Sequence, residues 1–364
     1  MSSSGIPLPE APRLLLIRLG AMGDVLHTLP ALTLLRRALP EAKIAWAVEP
    51  HWAPLLRGNP ALDEVIEVPL KAWRKRMFAA ETRRGWQALR DGLSERNFDA
   101  AIDFQGLIKS ALLARAARPG SVAGFERGAV RESLAARFYT HTFPANRRHV
   151  VDKNLALARG VCGVTDDFPA AVFLPEGERA GSLPGGDFIL ASPLAGWKSK
   201  QWPPERYAEL AALAWRQRRL PLVLDGAPAD RAYLERIAAH APEGACPVHV
   251  SSLLELVGAT RAAAAVLGVD SGPMHLAAAL NKPGVALFGP TDPERNGPYG
   301  GALTVLRGPG AETSYKRDDS FSAPMFALSA AEVWRELALV LDRRPSPLEV
   351  VARNAQPRKT PGVG

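Results

Sequence analysis

Four loops carry residues whose type and spacing suit chemistry on a charged, oxygen-rich substrate. The first is Gly20-Ala-Met-Gly23-Asp24, between the apolar run Arg13-Leu-Leu-Leu-Ile-Arg18 and an apolar-rich stretch from Val25 to Arg37. Its glycines permit a tight turn and let a ligand approach backbone N–H groups closely. Asp24 falls at or near the start of the following helix. There it either caps that helix or serves as a general base. His27 lies three residues on, near the same helix face. It either tunes Asp24, binds phosphate, or is a hydrogen-bonded structural histidine.

The second loop, Pro193-Leu-Ala-Gly196-Trp-Lys198-Ser-Lys200-Gln-Trp202-Pro203, puts lysines on a glycine-containing turn beside a helix start. That setting suits a diphosphate, and Lys200 is the main candidate; the plain alternative is a surface lysine. The third, Val269-Asp270-Ser271-Gly272-Pro273-Met274-His275, ends a strand and opens a helix at Pro273. Its free N–H groups and helix dipole suit a diphosphate. Asp270 either accepts hydrogen bonds from sugar hydroxyls or caps the helix. The fourth, Gly289-Pro-Thr291-Asp292-Pro, is expected to close the same site.

Several chemistries are disfavoured. The Gly-x-Gly-x-x-Gly dinucleotide fingerprint is missing from the first loop, which argues against a nicotinamide dehydrogenase. The chain has no Asp-x-Asp triplet, Walker lysine loop or Gly-x-Ser-x-Gly elbow. No metal and no cofactor is therefore expected, and lysine, helix dipoles and backbone donors must carry a departing diphosphate.

These loops need a scaffold. A chain of 364 residues suits two domains. Its hydrophobic content of 47% and charged content of 23% fit a globular protein. A net charge of +8 favours an anionic partner: nucleic acid, a negative membrane face or phosphorylated substrates. No aromatic-interleaved basic motif supports nucleic acid. Two distant cysteines, Cys162 and Cys246, point to a reducing cytoplasm rather than a disulfide framework. No signal peptide or membrane-spanning run is read, so any membrane contact is expected to be peripheral.

Strands are expected at 13–18, 43–48, 64–68 and 100–103, with helices after 24, around 86–95 and over 108–117. A linker over 174–186 precedes a second alternation. Its strands are 188–191, 220–224, 263–269 and 284–288, and its helices 204–216, 230–240, 253–260 and 274–280. An amphipathic helix closes it at 329–342. Such alternation implies doubly wound parallel sheets, with ligands beyond the carboxyl ends of the strands. The expected division is an acceptor domain over 1–175, a donor domain over 176–328, a helix over 329–343 and a disordered tail over 344–364.

Taken in order, the motifs resemble one family. Gly20-Ala-Met-Gly-Asp-Val-Leu-His-Thr-Leu-Pro-Ala-Leu32 is similar to the opening signature of the lipopolysaccharide heptosyltransferase I family, the ADP-heptose transferases of glycosyltransferase family 9. The likeness continues at Trp73-Arg74-Lys75, at Asp103-Phe-Gln105-Gly106-Leu-Ile-Lys109 and at Arg131 to Tyr139. It resumes at Lys200-Gln-Trp202, at Asp270 to His275 and at Gly289 to Pro293. The resemblance implies an α/β GT-B fold, two Rossmann-like domains facing a cleft. It implies transfer of L-glycero-D-manno-heptose from ADP-heptose to the Kdo of Kdo-lipid A, with inversion, at the inner face of the inner membrane.

It also implies site residues. Asp24 takes the place of the base and Lys200 that of the phosphate-contacting lysine. Donor binding falls on Ser192, Lys200, Asp230, Asp270, Ser271, Gly272, Met274, His275 and Thr291. Acceptor binding falls on Gly23, His27, Lys71, Arg74, Lys75, Gln105, Arg131 and Lys153. Departures exist: Leu194-Ala-Gly196 replaces threonines, Asp230 replaces a glutamate, and Lys71 and Lys153 replace arginines, losing bidentate geometry. Rival readings are a related transferase acting on a second core heptose or a protein, and a non-catalytic nucleotide-sugar-binding protein.

Overall fold

In the computed structural model, the described residues are 5–76, 78–165, 172–179 and 182–343. The expected tail over 344–364 and part of the expected linker lie outside them. The first half runs β1 (Arg13–Ile17), α1 (Met22–Leu26), α2 (Leu29–Ala38), β2 (Lys43–Val48), β3 (Glu64–Glu67), α3 (Leu70–Lys75), α4 (Ala80–Glu95), β4 (Ala100–Asp103), α5 (Ile108–Ala116), β5 (Ser121–Phe125), β6 (His141–Phe143) and α6 (Val150–Cys162). Its strands form one parallel sheet in the order β3-β2-β1-β4-β5-β6.

The second half repeats the plan. It runs β7 (Ile189–Ser192), α7 (Pro204–Arg218), β8 (Leu222–Gly226), α8 (Arg231–Ala238), β9 (Val248–Val250), α9 (Leu253–Ala262), β10 (Ala265–Val269), α10 (Gly272–Ala279), β11 (Gly284–Phe288), α11 (Pro293–Asn296), β12 (Leu303–Arg307), α12 (Ala323–Ala327) and α13 (Ala330–Asp342). The sheet order is β12-β11-β10-β7-β8-β9, again parallel.

In each sheet the strand order reverses once, between β1 and β4 and between β7 and β10. A crevice opens at that point, because the flanking loops diverge to opposite faces. The sequence puts Gly20–Asp24 after β1, Gln105 after β4, Lys200 after β7 and Asp270–Ser271 after β10. The two crevices therefore carry the four groups of chemical interest.

The central strands read as apolar runs because both faces are covered: β10 and β11 are buried along their whole length. The expected single helix after Asp24 is two helices. Pro30 has no N–H to bond back to Leu26, so α1 ends and α2 starts with the proline in its first turn. Strands β5, β6, β9 and β12 and helices α3, α6, α11 and α12 add to the expected elements. Among the described residues, no helix is long and apolar enough to cross a membrane.

One apolar cluster runs between the halves, from Leu14, Met22 and Leu26 to Met274, Leu276 and Ala278. Small residues allow this approach. A Cβ on Gly23 would lie 2.5 Å from His275 Cδ2, and one on Gly272 would lie 2.7 Å from Met22 Sδ. The start of α1 thus packs directly on the start of α10.

Candidate active site

A cleft of about 780 Å³ opens between the two sheets. Its first wall is built on Asp24. The α1 backbone begins at Met22, and Asp24 reaches back so that its Oδ2 accepts from Ala21 N at 3.2 Å. The capping alternative is therefore realised, but it uses one oxygen only. Oδ1 faces two guanidiniums, Arg18 Nη2 at 2.6 Å and Arg131 Nη2 at 2.7 Å. Burial raises the Asp24 carboxyl; the Arg18 and Arg131 charges outweigh it and leave the group below the ordinary carboxylate range.

Arg18 is 2% exposed, at the end of β1, and also donates to the Phe104 carbonyl. Burial alone would disfavour its charge; Asp24 supplies the counter-charge. Gln105 locks the loop beside it. Its Oε1 accepts from Leu19 N at 2.8 Å and its Nε2 donates to Gly20 O at 3.0 Å. Asp103, buried below, accepts from the backbone of Gln105 and Gly106 and from the Ser110 and Tyr139 hydroxyls. Each turn residue is thus tied to the strand end that carries it.

The second wall is built on Lys200 and Asp270. Lys200 Nζ lies 2.7 Å from Asp270 Oδ2 and 4.1 Å from the centre of the Trp197 ring. His275 Nε2 lies 3.7 Å from Asp270 Oδ1. Burial raises the Asp270 carboxyl, and His275 and Lys200 outweigh this and hold it well below the usual range. Ser271 is the N-cap of α10, yet its side chain makes no cap bond. Among the described residues the buried hydroxyls of Ser271 and Thr291 have no hydrogen-bond partner. A helix start with free N–H groups, a spare hydroxyl and a lysine can hold the oxygens of an anion.

The walls meet at a histidine pair. His27 Nε2 lies 3.0 Å from His275 Nδ1. Burial, then the neighbouring His275 and His149, push His27 well below the usual histidine value. His149 Nε2 donates to the Gly297 carbonyl at 3.1 Å, a second link between the halves. Arg148, with Asp292 and Glu294, makes a third.

Of the expected site residues, the cleft is lined by Gly23, Asp24, His27, Gln105, Arg131 and Lys153 from the first half. Lys200, Asp270, Ser271, Gly272 and His275 line it from the second. Other expected residues lie outside this lining. Ser192 is buried at the end of β7, and Met274 is buried under Gly268. Thr291 is buried behind the wall, and Asp230 caps the turn before α8 by accepting from Ala227 N at 3.0 Å. Lys71, Arg74 and Lys75 sit on α3, exposed to solvent.

Sequence reasoning missed Arg18, Arg148, Asn154, Trp197, Arg295, Tyr315 and Arg317, all of which line the cleft. Arg18 carried a signal, a lone cation closing a buried apolar strand. Trp197 lies in the Lys200 loop, where only the lysines drew notice; the rest come from distant segments with no shared local pattern.

Two parallel sheets facing a cleft, a carboxylate on one wall and a cationic helix start on the other, define a two-lobed group-transfer enzyme of GT-B architecture acting on an anionic donor. A family model described as glycosyltransferase family 9 (heptosyltransferase) matches residues 86–323. The chain belongs to glycosyltransferase family 9 and is a glycosyltransferase.

Among its relatives, lipopolysaccharide heptosyltransferase 1 of Pseudomonas aeruginosa is 36% identical over 302 residues, covering 79% of this chain and 81% of the relative. The enzyme of the same name from Escherichia coli O18:K1:H7 is 34% identical over 311 residues, covering 83% and 93%. The solved structure of E. coli heptosyltransferase WaaC with ADP superposes with a TM-score of 0.74 at 31% identity, covering 89% of this chain and 98% of that one.

Proposed function

We propose that this glycosyltransferase moves a heptosyl residue from ADP-L-glycero-D-manno-heptose to the Kdo of a Kdo-lipid A acceptor, in lipopolysaccharide inner-core synthesis, by one inverting displacement without a metal. The observation that carries the reading is the opposition of Asp24 and the Lys200–α10 cradle across one cleft. The names of the relatives and the ADP complex of WaaC support the donor.

In this reading the donor diphosphate lies against Lys200, the Ser271 hydroxyl and the first N–H groups of α10. Lys200 exchanges Asp270 for phosphate, and Asp270 is freed to accept from sugar hydroxyls. The acceptor hydroxyl approaches from the Asp24 side. Its proton passes to Asp24 Oδ2, the oxygen that the guanidiniums leave open, as the C–O bond to the anomeric carbon forms. The bond to ADP breaks on the opposite face, and the leaving charge falls on the cationic cradle. Arg131 is exposed and can engage an acceptor carboxylate, whereas Arg18 is buried and stays on Asp24. Lys153 lines the same side and offers a second cation.

The deciding experiment incubates the purified chain with ADP-heptose and Kdo-lipid A, with and without EDTA. The product mass should rise by one heptosyl unit in both, and the new linkage should have the opposite anomeric configuration by NMR. Product only without EDTA would remove the metal-independent step, and no product under either condition would remove the reaction.

A further inference from the structure

We propose that the corner between α3 and α4 is the surface by which this enzyme docks on an anionic lipid bilayer. Phe78, at the turn of that corner, is 94% exposed, while among the described residues the next most exposed large apolar side chain, Phe326, is 50% exposed. A lone exposed apolar residue is ordinary on a protein surface. This one stands in a strongly cationic segment. Residues 71–84 hold Lys71, Arg74, Lys75, Arg76, Arg83 and Arg84 against a single carboxylate, Glu81. All six cations are exposed, and among the described residues none is ion-paired. Six uncompensated cations repel one another, and a negative surface relieves that repulsion.

The corner is braced from beneath. Trp73 of α3 and Trp86 of α4 meet edge to face with ring centres 6.0 Å apart, and Gly85 lets Trp73 lie close, since a Cβ there would be 3.0 Å from its ring. A protruding aromatic side chain on a braced turn suits insertion among lipid headgroups, with the neighbouring cations facing lipid phosphates.

The corner also hangs on the catalytic loop. Lys71 N donates to Glu49 Oε1 at 2.9 Å, and Glu49 N donates to Leu19 O at 3.1 Å, next to Gly20. Docking by this corner is therefore linked through the backbone to the loop that carries Asp24. This matters because the acceptor proposed above is membrane-borne, and the inference rests on that reading for its purpose though not for its test.

The test is cosedimentation with vesicles, which reads binding without catalysis. The purified chain should pellet with vesicles of phosphatidylcholine mixed with phosphatidylglycerol, pellet little with phosphatidylcholine alone, and be released by high salt. Phe78→Ser, and separately Arg83→Glu with Arg84→Glu, should each weaken partitioning by about tenfold or more. Turnover of a delipidated, water-soluble Kdo acceptor should be unchanged in these variants. Equal binding to neutral vesicles, or variants that pellet like the parent, would overturn the docking surface. Loss of turnover on the soluble acceptor in the Phe78 variant would overturn it too, by making that residue part of the site. Should the parent pellet with anionic vesicles but leave the soluble acceptor unmodified, the reaction proposed above fails and the docking surface stands.

Discussion

Asp24 is asked to be a base while two guanidiniums lower its affinity for protons. The arrangement is consistent if ionisation, rather than basicity, is what burial threatens. A buried carboxyl without a partner takes up a proton near neutral pH and can no longer accept one from a substrate. Arg18 prevents that. Its own burial makes it a fixed counter-charge, while Arg131, 44% exposed, can leave when an acceptor anion arrives. Asp24→Asn should retain ADP affinity by calorimetry and lose about 100-fold or more in turnover. Lys200→Ala should instead weaken ADP binding, about tenfold for one lost charge-assisted contact. Arg18→Gln should move the acid limb of kcat/KM upward by about one to two pH units, because Asp24 then ionises later. Arg18→Lys should keep most of the parent profile. An unmoved acid limb in Arg18→Gln, with turnover merely lower, would reduce Arg18 to a packing residue.

At the scale of elements, catalysis depends on how closely α1 approaches α10, and two glycines set that distance from opposite sides. The would-be Cβ of Gly23 meets the imidazole of His275, which is pinned by His27 and faces Asp270. That of Gly272 meets Met22, 2.7 Å from Sδ, which can swing aside, and 2.9 Å from Cβ, which cannot. Gly23→Ala and Gly272→Ala should therefore each lower turnover by about tenfold or more, the scale of a small misplacement at a reacting centre. Near-parent turnover in both variants by steady-state kinetics would show that the approach is not the controlling distance.

Local pattern decides what could be read from the sequence. Buried central strands appear as apolar runs, and the loops after them are marked by glycine and proline, so β1, β10 and the turns bearing Asp24 and Asp270 were legible. Strands β6 and β9 have three residues each, too few for a period, and β12 lies at a sheet edge with mixed exposure. The two-helix form of the first helix was legible in principle from Pro30. The cations of Arg148, Arg295 and Arg317 were not. Their proximity comes from the facing of two sheets, which no local spacing encodes.

At the scale of the whole molecule, the two lobes are joined near the chemistry by imidazoles. His27 belongs to the first lobe and His275 to the second, with His149 at the N-terminus of α6 beside them. One ring must donate and the other accept at 3.0 Å, which requires at least one neutral ring, and Arg18 and Arg131 disfavour added charge on His27. The folded value of His27 lies well below 6.5, the ordinary value it regains on unfolding. As pH falls below about 6.5 the unfolded chain binds a proton that the folded chain refuses, so stability is full above that pH and is lost below it. The slope is on the order of 1 kcal/mol per pH unit for one refused proton. His149, also lowered by burial, adds in the same direction. Melting temperature should hence fall between pH 7 and pH 5. His27→Gln keeps a donor and an acceptor for His275 but has nothing to titrate, and it should flatten this fall. Identical pH dependence in parent and variant by scanning calorimetry would mean that the acid sensitivity of the joined lobes arises elsewhere, and that the histidine contact is a spacer rather than a charge-sensitive hinge.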